Sequence, residues 1–341
     1  MPERARSGAR NLITDVPGLR VGQSEDRGVR SGVTVILPNE RSICAVDVRG
    51  GAPGTRETDA LAPENLVEAV DAVVLSGGSV YGLAAADGVV AWLGARGRGY
   101  GMAPDAAVPP SPVVPAAILF DMANGGSKAW DEEPPYRALG RAAIAAAGDI
   151  FALGTAGAGY GAMAGSLKGG IGSASIVSGD AMSVGAIVAV NCWGSVVAPG
   201  GRTFWAAPFE MDAEFGGVGS AGLSAAPDDW GFSKGLAEGR NTTIACVATD
   251  VALTPAQAKR VAVMAQDGLS RAIRPVHAPF DGDVVFCLST ARQPMPEAAD
   301  YTVARLGALA ADCLARAVAR AVFEATPWPD AEAPCWRDLP K

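Results

Sequence analysis

The side chains that could carry out chemistry in this sequence are limited first by its histidines. The chain has a single histidine, His277, in a turn between Pro275 and Pro279. A Ser-His-Asp triad would have to use it, yet a lone histidine is more often structural than catalytic. One histidine and dispersed cysteines also suit the usual zinc sites poorly. The residues therefore favour hydroxyl chemistry without an imidazole, and we expect no metal and no cofactor.

Thr242, which follows Asn241, is the candidate for such chemistry. An N-terminal Thr can use its own α-amine as the base, and the pKa of that amine, about 7.7 to 8.0, suits neutral pH. The amine becomes free only if the chain breaks between Asn241 and Thr242. The Thr242 hydroxyl could attack the preceding carbonyl and form an ester that water opens. On the residues alone, an ordinary turn leading into a strand explains this segment better.

Two glycine-containing turns are further candidates. Asp281 and Asp283 flank a glycine, which by itself is typical of a solvated turn or a calcium-like loop. The other turn, residues 76–79 (Ser-Gly-Gly-Ser), follows an apolar run and precedes a helical pattern. It lacks the spacing of a dinucleotide-binding turn, of a P-loop and of the hydrolase G-x-S-x-G turn. A nucleotide role is therefore disfavoured.

Strand and helix patterns alternate along the chain and must position these residues. The β-branched runs 32–38 and 43–48 predict a hairpin, and 194–197 is predicted to pair with the strand 184–191. Helical spacing also occurs at Leu66, Ala69 and Val70. The region 199–239 has no sustained period and predicts a long loop. The other predicted strands are 72–75, 173–177, 242–249 and 284–289, and the predicted helices are 80–93, 139–147, 255–269 and 300–323.

The overall composition is that of an ordinary globular protein, with 49% hydrophobic and 19% charged residues. A net charge of −8 argues against a nucleic-acid partner, because such binding requires cationic side chains. We see neither a signal peptide nor a membrane span, and no pair among the six cysteines has C-x-x-C spacing. We therefore expect a cytoplasmic protein with reduced thiols and no membrane partner.

Seven motifs occur in order over residues 11–325. They are residues 15–22 (DVPGLRVG), 48–55 (VRGGAPGT), 75–83 (LSGGSVYGL), 157–170, 240–250 (RNTTIACVATD), 268–275 (GLSRAIRP) and 281–283 (DGD). This ordered set resembles the DmpA-type peptidase family, which includes L-aminopeptidase/D-esterases, β-peptidyl aminopeptidases and the 6-aminohexanoate (nylon) oligomer hydrolases. Many members carry Gly-Ser at the cleavage site, whereas this chain has Asn-Thr, as the nylon-oligomer hydrolases do.

The resemblance implies an α/β fold of the N-terminal-nucleophile type: a single catalytic domain, residues 1–341, with two mixed sheets between helical layers (α-β-β-α). It also implies autocatalytic cleavage into an α chain, 1–241, and a β chain, 242–341. A homotetramer of such αβ protomers is expected from the same resemblance.

Residue roles are implied in the same way. Thr242 matches the nucleophile, and Asp281 and Asp283 match the pair that orients its new amine. Lys168 matches a lysine near the nucleophile, where a cation could lower the pKa of the amine. Asn191 matches an asparagine whose amide donates towards the oxyanion.

The pocket expected from the resemblance is bounded by Phe120, where some relatives have a tyrosine, and by Ser76, Gly77, Gly78 and Tyr81. The substrate would be a short peptide or a 6-aminohexanoate oligomer. Alternatives are an aminopeptidase/D-amino-acid esterase-amidase, a β-aminopeptidase, or an uncleaved relative that only binds a small molecule.

Overall fold

The computed structural model describes residues 4–101, 107–221, 223–234 and 241–340. Within these residues the chain forms strands and helices in alternation. The strands are β1 (Arg6–Ser7), β2 (Leu19–Asp26), β3 (Ser31–Pro38), β4 (Ser42–Val48), β5 (Thr55–Arg56), β6 (Ala69–Val70), β7 (Val73–Ser76), β8 (Ala116–Ile118), β9 (Met163–Ala164), β10 (Leu167–Lys168), β11 (Gly170–Val177), β12 (Ser183–Asn191), β13 (Thr242–Val251) and β14 (Val284–Gln293). The α-helices are α1 (Ala85–Gly94), α2 (Tyr136–Ala145), α3 (Pro255–Ala272) and α4 (Ala299–Phe323).

The strands form two mixed sheets and a small ribbon of β9 and β10. The seven-stranded sheet has the order β1-β11-β12-β13-β14-β4-β6, and its one parallel pair joins β13 to β14. The five-stranded sheet has the order β2-β3-β7-β8-β5, with β7 and β8 parallel. In each parallel pair, the two neighbouring strands begin at the same end of the sheet.

Alternating side chains place each sheet between two apolar layers. In β13, Ile244 and Cys246 pack between the sheets, whereas Ala245 and Val247 pack with the core shared by α3 and α4. The five-stranded sheet in turn packs against α1 and α2. Strands covered on both faces are buried along most of their length and are largely apolar, which explains the long apolar runs in the sequence. The predicted α-β-β-α sandwich is confirmed.

The start of α3 follows from its local sequence, as predicted. Thr254 accepts a hydrogen bond from the backbone N–H of Gln257, and the Gln257 side chain accepts one from the N–H of Thr254. Pro255 occupies the first turn, where no N–H is needed. This cap fixes the point at which the chain leaves β13 and crosses the outer face of the seven-stranded sheet.

Three local predictions are wrong. Strands β3 and β4 do not form a hairpin: β3 pairs with β2 and β7, and β4 pairs with β14 and β6. Residues 194–197 do not pair with β12, because β11 and β13 already occupy both of its edges. The helical spacing near residue 69 belongs to the short strand β6. In each case, long-range pairing overrides the local pattern.

The predicted long loop has only a single 3-10 turn, Ala207–Phe209, within its described part. Its residues 222 and 235–239 lie outside the described ranges. The loop is anchored by Glu214, which accepts hydrogen bonds of 2.5 and 3.0 Å from the fully buried guanidinium of Arg316. Among the described residues, no helix combines the length and apolarity required to cross a bilayer.

Candidate active site

Sheet register brings part of the predicted site, Asn191, Asn241, Thr242 and Asp281, to one end of the seven-stranded sheet. Asn191, the last residue of β12, lies opposite Thr242, the first residue of β13. The segment before β14 runs parallel to the segment before β13, so that Asn241 pairs with Asp281. Residues separated by up to 90 positions therefore meet at adjacent strand ends.

The carbonyl oxygen of Asn241 accepts two hydrogen bonds. The Thr242 hydroxyl lies 2.5 Å from it, and the backbone N–H of Gly282 donates to it over 3.0 Å. A Cβ on Gly282 would lie only 2.7 Å from the Thr242 hydroxyl oxygen, so this close approach requires glycine. Two donors on one carbonyl polarise it and stabilise negative charge that develops on its oxygen.

Asp283 is held by two backbone N–H donors and by a contact with the His277 ring. One carboxylate oxygen accepts the backbone N–H of Thr243 at 2.8 Å. The other lies 2.8 Å from the His277 ring Nδ1 and accepts the backbone N–H of His277 at 3.2 Å. The lone histidine thus pairs with the acidic residue that also binds the start of β13. Within the described residues its ring pairs with Asp283, which supports a structural role over a triad with Thr242.

Asp281 lies beside Asp283 and is also buried. It accepts the N–H of Ala278 at 2.8 Å and that of Trp193 at 3.4 Å. Burial, reinforced by the negative charge of Asp283, raises the pKa of Asp281 to about 6. Asp281 can therefore exchange a proton close to neutral pH.

Asn191 is fixed through both ends of its side-chain amide. The amide nitrogen donates to the carbonyl of Phe120 at 3.0 Å, and the amide oxygen accepts the N–H of Met163 at 3.0 Å. This residue therefore joins β12 to the segment that follows β8. Its oxyanion role stays a prediction.

Lys168 is completely buried, and its ammonium group donates to backbone carbonyls of Gly159, Ala162 and Gly169 at 2.8 to 3.3 Å. Burial lowers its pKa to about 7. The Lys168 side chain thus stabilises the glycine-rich segment through these hydrogen bonds. Its predicted effect on the pKa of the Thr242 amine stays a prediction.

A cavity of about 350 Å³ lies next to this strand end. Its walls include Phe120, Asp121, Asn191 and Lys234. Phe120, which was predicted to bound the substrate pocket, lies in the wall of this cavity, and its contact with substrate stays a prediction. Asn191 belongs to the cavity wall and also lies opposite Thr242 in the pairing of β12 with β13.

Asp121 is the acidic group of this cavity and is 2% exposed. One carboxylate oxygen accepts the N–H of Gly78 at 2.7 Å, while the other has no hydrogen-bond partner among the described residues. Burial raises the pKa of Asp121 to about 6, against the opposing effects of the Gly78 N–H and the Ser31 hydroxyl beside it.

The predicted pocket turn supports Asp121. Gly78 has a φ of +84°, and a Cβ there would lie 2.0 Å from the Tyr136 ring, so that only glycine fits. The Ser76 hydroxyl donates to the carbonyl of Gly77. Tyr81 is 47% exposed and packs edge-on against Trp130. The turn and Tyr81 are thus placed around the segment that carries Asp121, and their contact with substrate stays a prediction.

Sequence reasoning missed Asp121, Lys234 and Gly282. Asp121 ends an apolar run, a position that could have been noticed. Lys234 lies in the aperiodic loop, where no local pattern marks it. As for metals, the described part of the chain contains no group of three or more His, Cys, Asp or Glu residues arranged to hold an ion.

Comparison with known families completes this description. Residues 11–333 match the model of peptidase family S58. The chain belongs to this family. An uncharacterized aminopeptidase of Mycobacterium tuberculosis is 44% identical over 96% of this chain and 98% of that protein. A 6-aminohexanoate-oligomer endohydrolase of Kocuria sp. (strain KY2) is 28% identical over 92% of this chain and 87% of that protein.

The fold matches solved structures as well. The L-aminopeptidase D-Ala-esterase/amidase of Ochrobactrum anthropi, described as a variant of the Ntn hydrolase fold, superposes with a TM-score of 0.69. It is 23% identical, with 99% of this chain and 92% of that chain covered. The predicted family and fold class are confirmed, and this S58 peptidase is an enzyme that hydrolyses amide bonds.

Proposed function

We propose that this S58 peptidase cuts itself between Asn241 and Thr242, and that the freed Thr242 then hydrolyses short peptides bearing a free amine. One observation carries the proposal: the Thr242 hydroxyl and the Gly282 N–H both lie on the carbonyl oxygen of Asn241. The products would be residues 1–241 and 242–341 of a single catalytic domain.

The cut is an N-to-O acyl shift followed by hydrolysis. The Thr242 hydroxyl oxygen attacks the carbonyl carbon of Asn241 while the Gly282 N–H stabilises the oxyanion. The C–N bond breaks, and the hydroxyl proton passes to the departing nitrogen, with ionised Asp281 as the nearby carrier. Water then opens the ester. It leaves a carboxylate on Asn241 and both a free hydroxyl and a free amine on Thr242.

Substrate hydrolysis reuses these groups. The α-amine of Thr242 accepts the proton of its own hydroxyl as the oxygen attacks the substrate carbonyl. Asn191 donates towards the oxyanion, and the acidic pair orients the amine. The proton passes to the leaving nitrogen, and water releases the acyl group from Thr242.

The substrate class is argued from Asp121. A substrate ammonium group would bind the carboxylate oxygen that has no partner among the described residues, so that peptides with a free N-terminus fit. The aminopeptidase names of the mycobacterial and Ochrobactrum relatives agree with this class. 6-Aminohexanoate oligomers are the second candidate, because they also carry a free amine and the Kocuria relative is named for them.

A substrate panel tests this proposal. We expect purified protein to hydrolyse L-, D- or β-aminoacyl anilides or 6-aminohexanoate oligomers, and to leave their N-acetylated counterparts intact. Activity confined to one group would identify the substrate. An inert, uncut chain that binds these compounds would support the rival view of a small-molecule binding protein.

We further propose a cytoplasmic homotetramer of cleaved protomers. The location is supported by the six cysteines, all of which are buried free thiols. The oligomeric state follows from the family resemblance, and light scattering coupled to size-exclusion chromatography measures it. A monomeric mass would contradict the tetramer and leave the site chemistry unaffected.

A further inference from the structure

Lys234 is a buried lysine next to the proposed cut, and no step described so far uses it. The residue is 8% exposed, and its ammonium group donates to the side-chain oxygen of Asn241 at 2.7 Å. A longer contact of 3.4 Å reaches the backbone carbonyl of Asn191. Lys234 therefore contacts the residue that supplies the carbonyl to be attacked and the residue opposite the nucleophile.

The backbone around Lys234 is anchored although it belongs to the long loop. The N–H of Lys234 donates to the carbonyl of Trp193 at 2.9 Å, and the carbonyl of Phe232 accepts the N–H of Ser166 at 2.6 Å. These bonds tie the loop to the segments that precede β10 and follow β12. The ammonium group is thus presented from a fixed position.

We propose that Lys234 is a positioning residue for self-cleavage, which orients the Asn241–Thr242 peptide by holding the side chain of Asn241. This inference rests on the proposed cut. The Gly282 N–H fixes the Asn241 carbonyl, and Lys234 fixes the side chain of the same residue. Two constraints on one residue limit rotation of its carbonyl away from the Thr242 hydroxyl. Such alignment can account for a large part of a rate enhancement.

The charge of Lys234 has a second effect. Its positive charge lowers the pKa of Asp281, opposing the effects of burial and of Asp283. Removing the charge therefore favours the protonated acid and weakens Asp281 as a proton carrier. A buried ammonium group is costly unless it is bonded, and the contacts with Asn241 and Asn191 provide such bonds.

The test measures the rate of self-cleavage. The protein is made by cell-free synthesis, and samples taken over time are separated on denaturing gels. We expect Lys234→Met to cut about 10- to 100-fold more slowly, as is typical when a charge-assisted hydrogen bond is lost. The acid limb of the rate should also move to higher pH. Lys259→Met is the matched control, because Lys259 bonds to Val46 and Asp47 on the α3 side of the sheet. It should cut at the wild-type rate.

Asn241→Ala separates positioning from a general loss of stability. It removes the acceptor and leaves Lys234 in place, so it should slow the cut by a similar factor, and the double variant should be little slower than either single one. Fully multiplicative effects, or a wild-type rate for Lys234→Met, would overturn the inference. A wild-type chain that never cuts would instead overturn the proposed function.

Discussion

The two sheets carry different functional groups at the ends that lie near the cavity, and the cavity wall itself includes Asn191 from one sheet and Asp121 from beyond the other. The seven-stranded sheet contributes Thr242 and Asn191, with Asp281 and Asp283 just before β14. The five-stranded sheet contributes the Gly78 turn after β7 and, beyond β8, Asp121. The proposed function assigns a nucleophile and a proton carrier to the first end, whereas the second has a buried carboxylate in the cavity wall.

Two buried aspartates, one at each sheet end, illustrate this difference. Burial raises the pKa of both Asp121 and Asp281 to about 6. Asp281 faces a second carboxylate and the charge of Lys234, an environment suited to moving a proton. Asp121 has an oxygen with no partner in the described residues, which suits a bound cation. The proposed function therefore assigns different roles to two aspartates with similarly raised pKa values, because their neighbours differ.

Asp283→Asn should give the largest effect at the seven-stranded end. Two backbone N–H donors and the His277 ring face this carboxylate, and an amide would turn its own NH₂ towards some of them. We expect the cut, followed on denaturing gels, to slow by about 100-fold or more. Asp180→Asn, which removes a surface ion pair with Arg305 and alters a hydrogen bond from the Ser178 hydroxyl, should cut normally. An Asp283→Asn chain that cuts at the wild-type rate would remove the acidic pair from the mechanism.

Asp121→Asn should affect binding and not the cut. The chain should process itself at the wild-type rate, while KM for amine-bearing substrates rises by about 10- to 100-fold, because the ammonium group loses its charged partner. Steady-state kinetics with free and N-acetylated substrates measures the effect. If the variant discriminates against acetylated substrates as strongly as wild type does, Asp121 is not the amine site.

The pH dependence of the self-cleavage rate and that of KM should also distinguish the two sheet ends, with smaller effects. Raised pKa values mean that both carboxylates are ionised above about pH 6 and take up protons below it. The cut should therefore slow by up to about tenfold per unit below pH 6 as Asp281 is protonated. KM for amine substrates should rise over the same range as Asp121 is protonated. In Asp121→Asn, KM should no longer rise at acid pH, whereas the rate of self-cleavage should still fall. If both acid dependences disappear, the two aspartates do not have the separate roles proposed here.

Much of this arrangement could be predicted from the sequence. The β-branched run after Asn241 predicted β13, the Thr254-Pro255 cap predicted α3, and the ordered motifs indicated the layered fold. The lack of a second histidine made Thr242 a candidate, whereas the family resemblance alone suggested a role for Asn191.

The remaining features depend on contacts that no local pattern reveals. Strands β3 and β4 resemble a hairpin because both are β-branched and close in sequence, yet each completes a different layer. Lys234 lies in an aperiodic loop, and its importance arises only from anchoring to Trp193 and Asn241. Asp121 is identified as a candidate amine site only by its environment. The sequence does not show that one of its carboxylate oxygens accepts a hydrogen bond while the other has no partner among the described residues.

The intact mass of the purified protein under denaturing conditions tests the central claim most directly. We predict two fragments for wild type, residues 1–241 and 242–341, whose masses together equal that of the chain plus one water. Thr242→Ala should give a single uncut chain, and Thr242→Ser should restore the cut. A wild-type chain that stays intact, or a Thr242→Ala chain broken at the same bond, would contradict the account.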